Sequence, residues 1–271
     1  MDIAEKYQVC VNGLRAYAKN ALFTDAVIGL SGGIDSSVVA AMSVEVFGAE
    51  HVHGVLLPGP YSSDHSIADA LDLANKLHIE TMTINICEPF EAFERVLSKS
   101  CGGKLHGLAS ENTQARCRMV ALMALSNTYG WMLVNTGNKS EAYMGYSTLY
   151  GDTAGAYAPM GCLYKTDVFA VARYLNQRAE QAGEIAPIPD HVLTKPPSAE
   201  LAPGQEDEKS MGVAYPMLDQ ILMSHFEEGK SAEEIAGMGF DENTVTCVLQ
   251  TAEFYEFKRA MEPPYPQERI Y

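Results

Sequence analysis

Ser31-Gly32-Gly33-Ile34-Asp35-Ser36-Ser37 is the stretch whose residue types most directly suggest chemistry. It lies between a short apolar run, Asp25 to Leu30, and an Ala/Val/Ser-rich segment, Ile34 to Phe47, which reads as strand, glycine turn and helix. The unpaired N–H groups at such a helix start can hold a phosphate oxyanion. The glycines admit the ligand without a Cβ in the way, and the serines add hydroxyl donors. No Gly-Lys-Ser/Thr follows, so this is not a Walker A loop. Asp35 would repel phosphates unless a divalent cation such as Mg²⁺ lay between them. The alternative is a plain Ser/Gly turn in which Asp35 caps the helix. The three serines and the position after the first strand favour the phosphate reading.

Further charged side chains are candidates for the same place. Arg116 stands in a helix otherwise carrying Met119, Val120, Leu122, Met123 and Leu125, and its fork suits a carboxylate or phosphate, although a surface ion pair would use it equally. Glu141 follows a predicted strand and Thr136-Gly137-Asn138, so it can reach the sheet edge that holds Asp35 and share a cation with it. Its alternative is a solvated loop acid. Lys165, just ahead of a predicted helix, could pair with phosphates or simply be solvated. Asp152 and Lys258, judged alone, read as surface residues.

The elements that must position these residues follow from periodicity. Helices are predicted over 3–20, 34–47, 64–78 and 111–129, and strands over 25–30, 51–57, 80–86 and 131–135. Strands alternating with helices imply an α/β fold, a doubly wound parallel sheet whose strand C-terminal ends share one ligand-binding edge. Residues 136–165 are Gly-rich and irregular, long for a connection without a function. The last third reads as helical, with a Pro-rich interruption over 187–203 and a Pro-rich tail after Glu262. One domain over 1–271 is expected.

The formal net charge is −16 over 271 residues, a field that repels nucleic acid and anionic membranes. The six cysteines form no CxxC pair or zinc spacing and read as reduced and mostly buried. With no basic n-region or long apolar run, a soluble cytoplasmic protein is expected.

Ser-Gly-Gly-Ile-Asp-Ser resembles the pyrophosphate loop of the N-type ATP pyrophosphatases. Further segments resemble one family within that group, the NAD synthetases. These are Glu111-Asn112-Thr113-Gln114-Ala115-Arg116-Cys117-Arg118-Met119, Thr136-Gly137-Asn138-Lys139-Ser140-Glu141 with Tyr150-Gly151-Asp152, Lys165-Thr166, Lys195-Pro196-Pro197-Ser198-Ala199-Glu200-Leu201, and Glu256-Phe257-Lys258-Arg259. The resemblance implies an adenine-nucleotide-alpha-hydrolase-like, Rossmann-like fold and ATP-dependent amidation of deamido-NAD to NAD through an adenylate, releasing AMP and pyrophosphate. It implies ATP contacts at Gly29, Ser31, Gly32, Gly33, Asp35, Ser36, Ser37, Thr136, Lys165 and Ser198, and Mg²⁺ on Asp35 and Glu141. Arg116, Asp152 and Lys258 would bind deamido-NAD, with Asp35, Glu141, Lys165 and Asp152 catalytic and a homodimer as the assembly. Phe257 departs from the family's His or Tyr and cannot donate a hydrogen bond.

The family has free-standing forms and forms fused to a glutamine amidase, and several motifs here look closer to the synthetase half of the fused form. Because the loop begins at Ser31, ammonia is the expected nitrogen donor, with a separate glutaminase left open. The rivals are another N-type ATP pyrophosphatase ligase and a non-catalytic nucleotide-binding module.

Overall fold

The structure is a computed structural model that describes residues 1–271. The elements, in chain order, are α1 (Ile3–Asn20), β1 (Ala26–Gly29), α2 (Ile34–Phe47), β2 (Val52–Leu56), α3 (Asp64–Leu77), β3 (Glu80–Thr83), α4 (Cys87–Leu97), α5 (Leu108–Tyr129), β4 (Met132–Leu133), α6 (Lys139–Met144), α7 (Lys165–Gln181), α8 (Asp190–Thr194), α9 (Asp207–Met211), α10 (Tyr215–Phe226), α11 (Ala232–Gly237), α12 (Glu242–Phe254) and α13 (Glu256–Arg259). All strand pairs are parallel, in the order β3-β2-β1-β4.

The two-residue period of β1 explains why helices cover both faces of the sheet. Ala26 and Ile28 point into the large core with α1, α2, α3 and α7, whereas Val27 points into a smaller cluster with Val55, Leu57, Phe90, Cys117 and Leu122 under α4 and α5. The inner strands β1 and β2 are largely buried between these layers, whereas the edge strand β3, Glu80-Thr81-Met82-Thr83, is mostly exposed, and the α/β doubly wound expectation holds. The C-terminal helices have their own cluster of Tyr164, Leu218, Ile221, Leu222, Val245 and Val248. Tyr271 packs against both this cluster and the large core.

Some boundaries differ from the sequence reading. β4, an edge strand paired only with β1, is two residues long, and past its end Val134 forms a single parallel bridge to Tyr157. The helix over 87–97 was not foreseen, although Phe90 and Phe93 sit three apart. All six cysteines are free. Cys10, Cys117 and Cys162 are buried, but Cys101 and Cys247 are exposed. No helix is long and apolar enough to cross a membrane.

Candidate active site

The first βα turn is built around one backbone constraint. Gly32 adopts φ +75°, and a Cβ there would lie 2.1 Å from the Ser66 carbonyl oxygen, so only glycine lets the loop pack on the start of α3. The serines then lock the turn. Ser31 and Ser36 share a hydroxyl contact of 3.0 Å, and Ser37 Oγ donates to the Gly33 carbonyl at 2.8 Å. Gly33 is the N-cap of α2, with no side-chain cap. Asp35 is therefore not a helix cap; it points elsewhere.

Asp35 Oδ2 accepts from Lys165 Nζ at 2.6 Å, and its Oδ1 accepts from Asn138 Nδ2 at 2.9 Å. Lys165 Nζ also donates to Glu141 Oε1 at 3.2 Å. Two acids far apart in sequence thus converge on one ammonium. Glu141 is placed by a capping box at α6: Asn138 Oδ1 accepts from the Glu141 amide at 3.0 Å, and Glu141 Oε2 accepts from the Asn138 amide at 3.3 Å. Lys165 opens α7 and is 1% exposed. Buried Asp219 holds that junction by accepting from Ser140 Oγ at 2.6 Å and the Thr166 amide at 2.8 Å.

The charges around Lys165 do not balance. Asp207, 5% exposed, lines the same cavity, and its Oδ1 has no hydrogen-bond partner. Burial pushes Glu141 up to about 8; Lys165 opposes this, while the like charges of Asp35 and Asp207 add to it. Burial disfavours the Lys165 ammonium, yet Asp35 and Glu141 outweigh that and hold it above the usual lysine range. Three carboxylates around one ammonium, with one orphaned oxygen, leave a place short of positive charge. That donor set fits a divalent cation of the Mg²⁺ type.

The cavity at this sheet edge is about 300 Å³. Of the candidates from sequence, Gly29, Ser31, Gly33, Asp35, Ser36, Thr136, Glu141, Asp152, Lys165 and Ser198 line it. Gly32 and Ser37 do not; they shape the loop from behind. Asp152 Oδ1 accepts from the Thr148 amide at 2.7 Å, and burial raises its pKa. Lys258 is outside the cavity lining, its Nζ donating to the carbonyls of Gly145 and Ser147 at 2.7 Å each. Arg116 is exposed, donates to the Leu149 carbonyl at 3.1 Å and is also outside the lining. Ser198 rides on a strap that Glu200 docks to the start of α3, accepting from Ser63 Oγ at 2.6 Å and Ser66 Oγ at 2.8 Å.

A family model described as NAD synthase matches residues 6–262. The chain belongs to the NAD synthase family. Among its relatives is the glutamine-dependent NAD(+) synthetase of Thermotoga maritima, 45% identical over 94% of this chain but only 43% of that protein. The chain thus spans less than half the length of such relatives. Among solved structures, the NMN synthetase of Francisella tularensis superposes with a TM-score of 0.77 at 32% identity, covering 96% of both chains. The NH3-dependent NAD synthetase of Campylobacter jejuni superposes at 0.73 with 27% identity, covering 95% of this chain and 96% of its own.

Four charged lining residues of this NAD synthase fold were not among the site candidates read from sequence: Arg118, Glu200, Asp207 and Glu262. For Arg118 a signal existed, because helical spacing aligns it with Ala115 and Leu122, which face inward. Asp207 follows the Pro-rich interruption and Glu262 begins the Pro-rich tail, where no periodicity reports direction.

Proposed function

We propose that the chain amidates deamido-NAD to NAD with ATP and ammonia, releasing AMP and pyrophosphate. The observation that carries this reading is the convergence of Asp35 and Glu141 on Lys165 beside the Ser31–Ser37 loop. The ATP phosphates lie along the loop, where the free amides at the start of α2 and the Ser31 and Ser36 hydroxyls receive them. Bound Mg²⁺, held by Asp35 and Glu141, supplies charge neutralisation on the phosphates. Lys165, in contact with both acids, would face the same negative charge. The substrate carboxylate attacks the α-phosphorus, pyrophosphate leaves, and ammonia displaces AMP to form the amide. Positioning and electrostatics do most of this, with no side-chain nucleophile. Asp152 serves to orient the amine or take its proton.

A homodimer with the dinucleotide at its interface completes the reading. Arg116 shares the outer stripe of α5 with exposed Val120 and Met123, so a second subunit there would border Arg116. The end-to-end match to an NMN synthetase favours a second reading, in which the amidated carboxylate belongs to nicotinate mononucleotide.

The test is product analysis with purified protein, ATP, Mg²⁺ and deamido-NAD, using ammonium or glutamine as donor. AMP and NAD should appear together with ammonium. Asp35→Asn and Glu141→Gln should each slow this on the order of a hundredfold with the fold intact. Turnover on glutamine alone would refute ammonia as the donor, and near-normal rates in both variants would remove the shared cation. Preference for nicotinate mononucleotide over deamido-NAD in direct competition would select the second reading.

A further inference from the structure

Arg118 is a cation in the cavity wall without an acid to match it. Helical spacing turns it from α5 toward the sheet, on the side opposite Arg116. Its Nε donates to the Leu57 carbonyl at 2.9 Å, just beyond β2, which fixes the guanidinium at the strand-end edge. That is its one hydrogen bond, and no carboxylate oxygen lies within 4.0 Å of it. Gly59 leaves room for the fork, since a Cβ there would come 2.9 Å from Nη2. Burial lowers the pKa of Arg118, and Glu200 and Asp152 offset this only from a distance. A half-buried guanidinium held in place, with both terminal nitrogens unengaged, is built to meet an acceptor.

What could bring that acceptor is set by the neighbouring wall. Gly29, Leu57, Met119, Leu122 and Leu133 make an apolar stretch at the ends of β1 and β2, suited to a flat base. At Gly29 a Cβ would already be 3.4 Å from Leu122, so the wall is close there. The Ser31–Ser37 loop follows directly from β1 in the same cavity.

We propose that Arg118 binds the nucleoside part of ATP, its terminal nitrogens donating to ribose and purine acceptors while the phosphates lie on the Ser31–Ser37 loop. This rests on the ATP reading above and adds a residue that sets affinity for the nucleoside rather than for the phosphates. Arg116 and Arg118, two positions apart, then serve different substrates from opposite faces of one helix.

The test compares binding of a non-hydrolysable ATP analogue with Mg²⁺, and of inorganic pyrophosphate, by calorimetry in wild type, Arg118→Met and Arg118→Lys. In Arg118→Met the analogue should bind on the order of tenfold to a hundredfold more weakly, as for loss of hydrogen bonds from a charged donor. Pyrophosphate affinity should hold within about twofold, since the phosphate loop is untouched. The KM for ATP should rise with the KM for the second substrate unchanged. Arg118→Lys keeps the charge but not the fork, so it should also lose analogue affinity; it carries the test if the methionine variant fails to fold. Unchanged analogue affinity, or an equal loss for pyrophosphate, would overturn the proposal. Wild type that binds the analogue through Arg118 yet makes no NAD would sink the amidation reading and leave this one standing.

Discussion

Glu262 shows what burial does to a carboxylate in this cavity. Burial pushes its pKa up to about 7; Asp152 adds to this and Lys258 opposes it. An unfolded glutamate titrates near ~4.3. The folded state therefore holds the proton more tightly, and stability falls as pH rises from about 4.5 to about 7. Glu262→Gln removes the titration, so its stability relative to wild type should improve by on the order of 2 kcal/mol between pH 4.5 and pH 8. Urea midpoints of both proteins at the two pH values measure this, and a constant gap between them would show that Glu262 does not titrate in that window. The same cause, removal from water, acts on Glu141, but there Lys165 sits in contact and opposes it.

At the scale of elements, the Ser31–Ser37 loop depends on how closely β1, α2 and α3 meet. Gly32→Ala puts a Cβ into the Ser66 carbonyl at 2.1 Å and forces a φ of +75° on a residue that resists it. The left-handed strain alone costs about 1 kcal/mol, and the backbone clash must add to it because α3 cannot move without releasing Glu200. Gly102→Ala is the control, with φ +71° and nothing within 4 Å. Thermal unfolding should show a clearly larger loss for Gly32→Ala, together with weakened ATP binding. Equal losses would mean that the contact with Ser66 is not what requires glycine at that position. This loop was legible in the sequence because three serines and a position after the first strand set it apart from a plain glycine turn, and α2 runs over the Ile34–Phe47 span expected. The partners of Asp35 were legible only as residue types. Nothing in the spacing says that Lys165 lies between Asp35 and Glu141, since the order of strands in space, β3-β2-β1-β4, decides it. The family motif points to Arg116, whereas the helical period alone sends Arg118 to the cavity.

For the whole molecule, a formal charge of −16 makes subunits repel, so any self-association must come from a local apolar surface. The outer faces of α4 and α5 offer one: Phe93, Val96, Leu108, Val120, Met123 and Tyr129 are all exposed. Helix α5 is apolar on two sides, with Cys117 and Leu122 packed inward and Val120 and Met123 facing out, a pattern that one-sided packing does not explain. If two copies pair through these helices, Arg116 borders the interface and the second substrate lies partly against the other subunit. A Val120→Glu, Met123→Glu double variant should then sediment as a monomer where the wild type sediments as a dimer. It should keep its affinity for the ATP analogue, whose cavity lies on the opposite side of α5, and lose affinity for deamido-NAD on the order of tenfold or more, the loss expected when one charged contact goes missing. A wild type that is monomeric at full activity, or a monomeric variant with unchanged deamido-NAD affinity, would separate the apolar face from the substrate site and leave Arg116 without a role there.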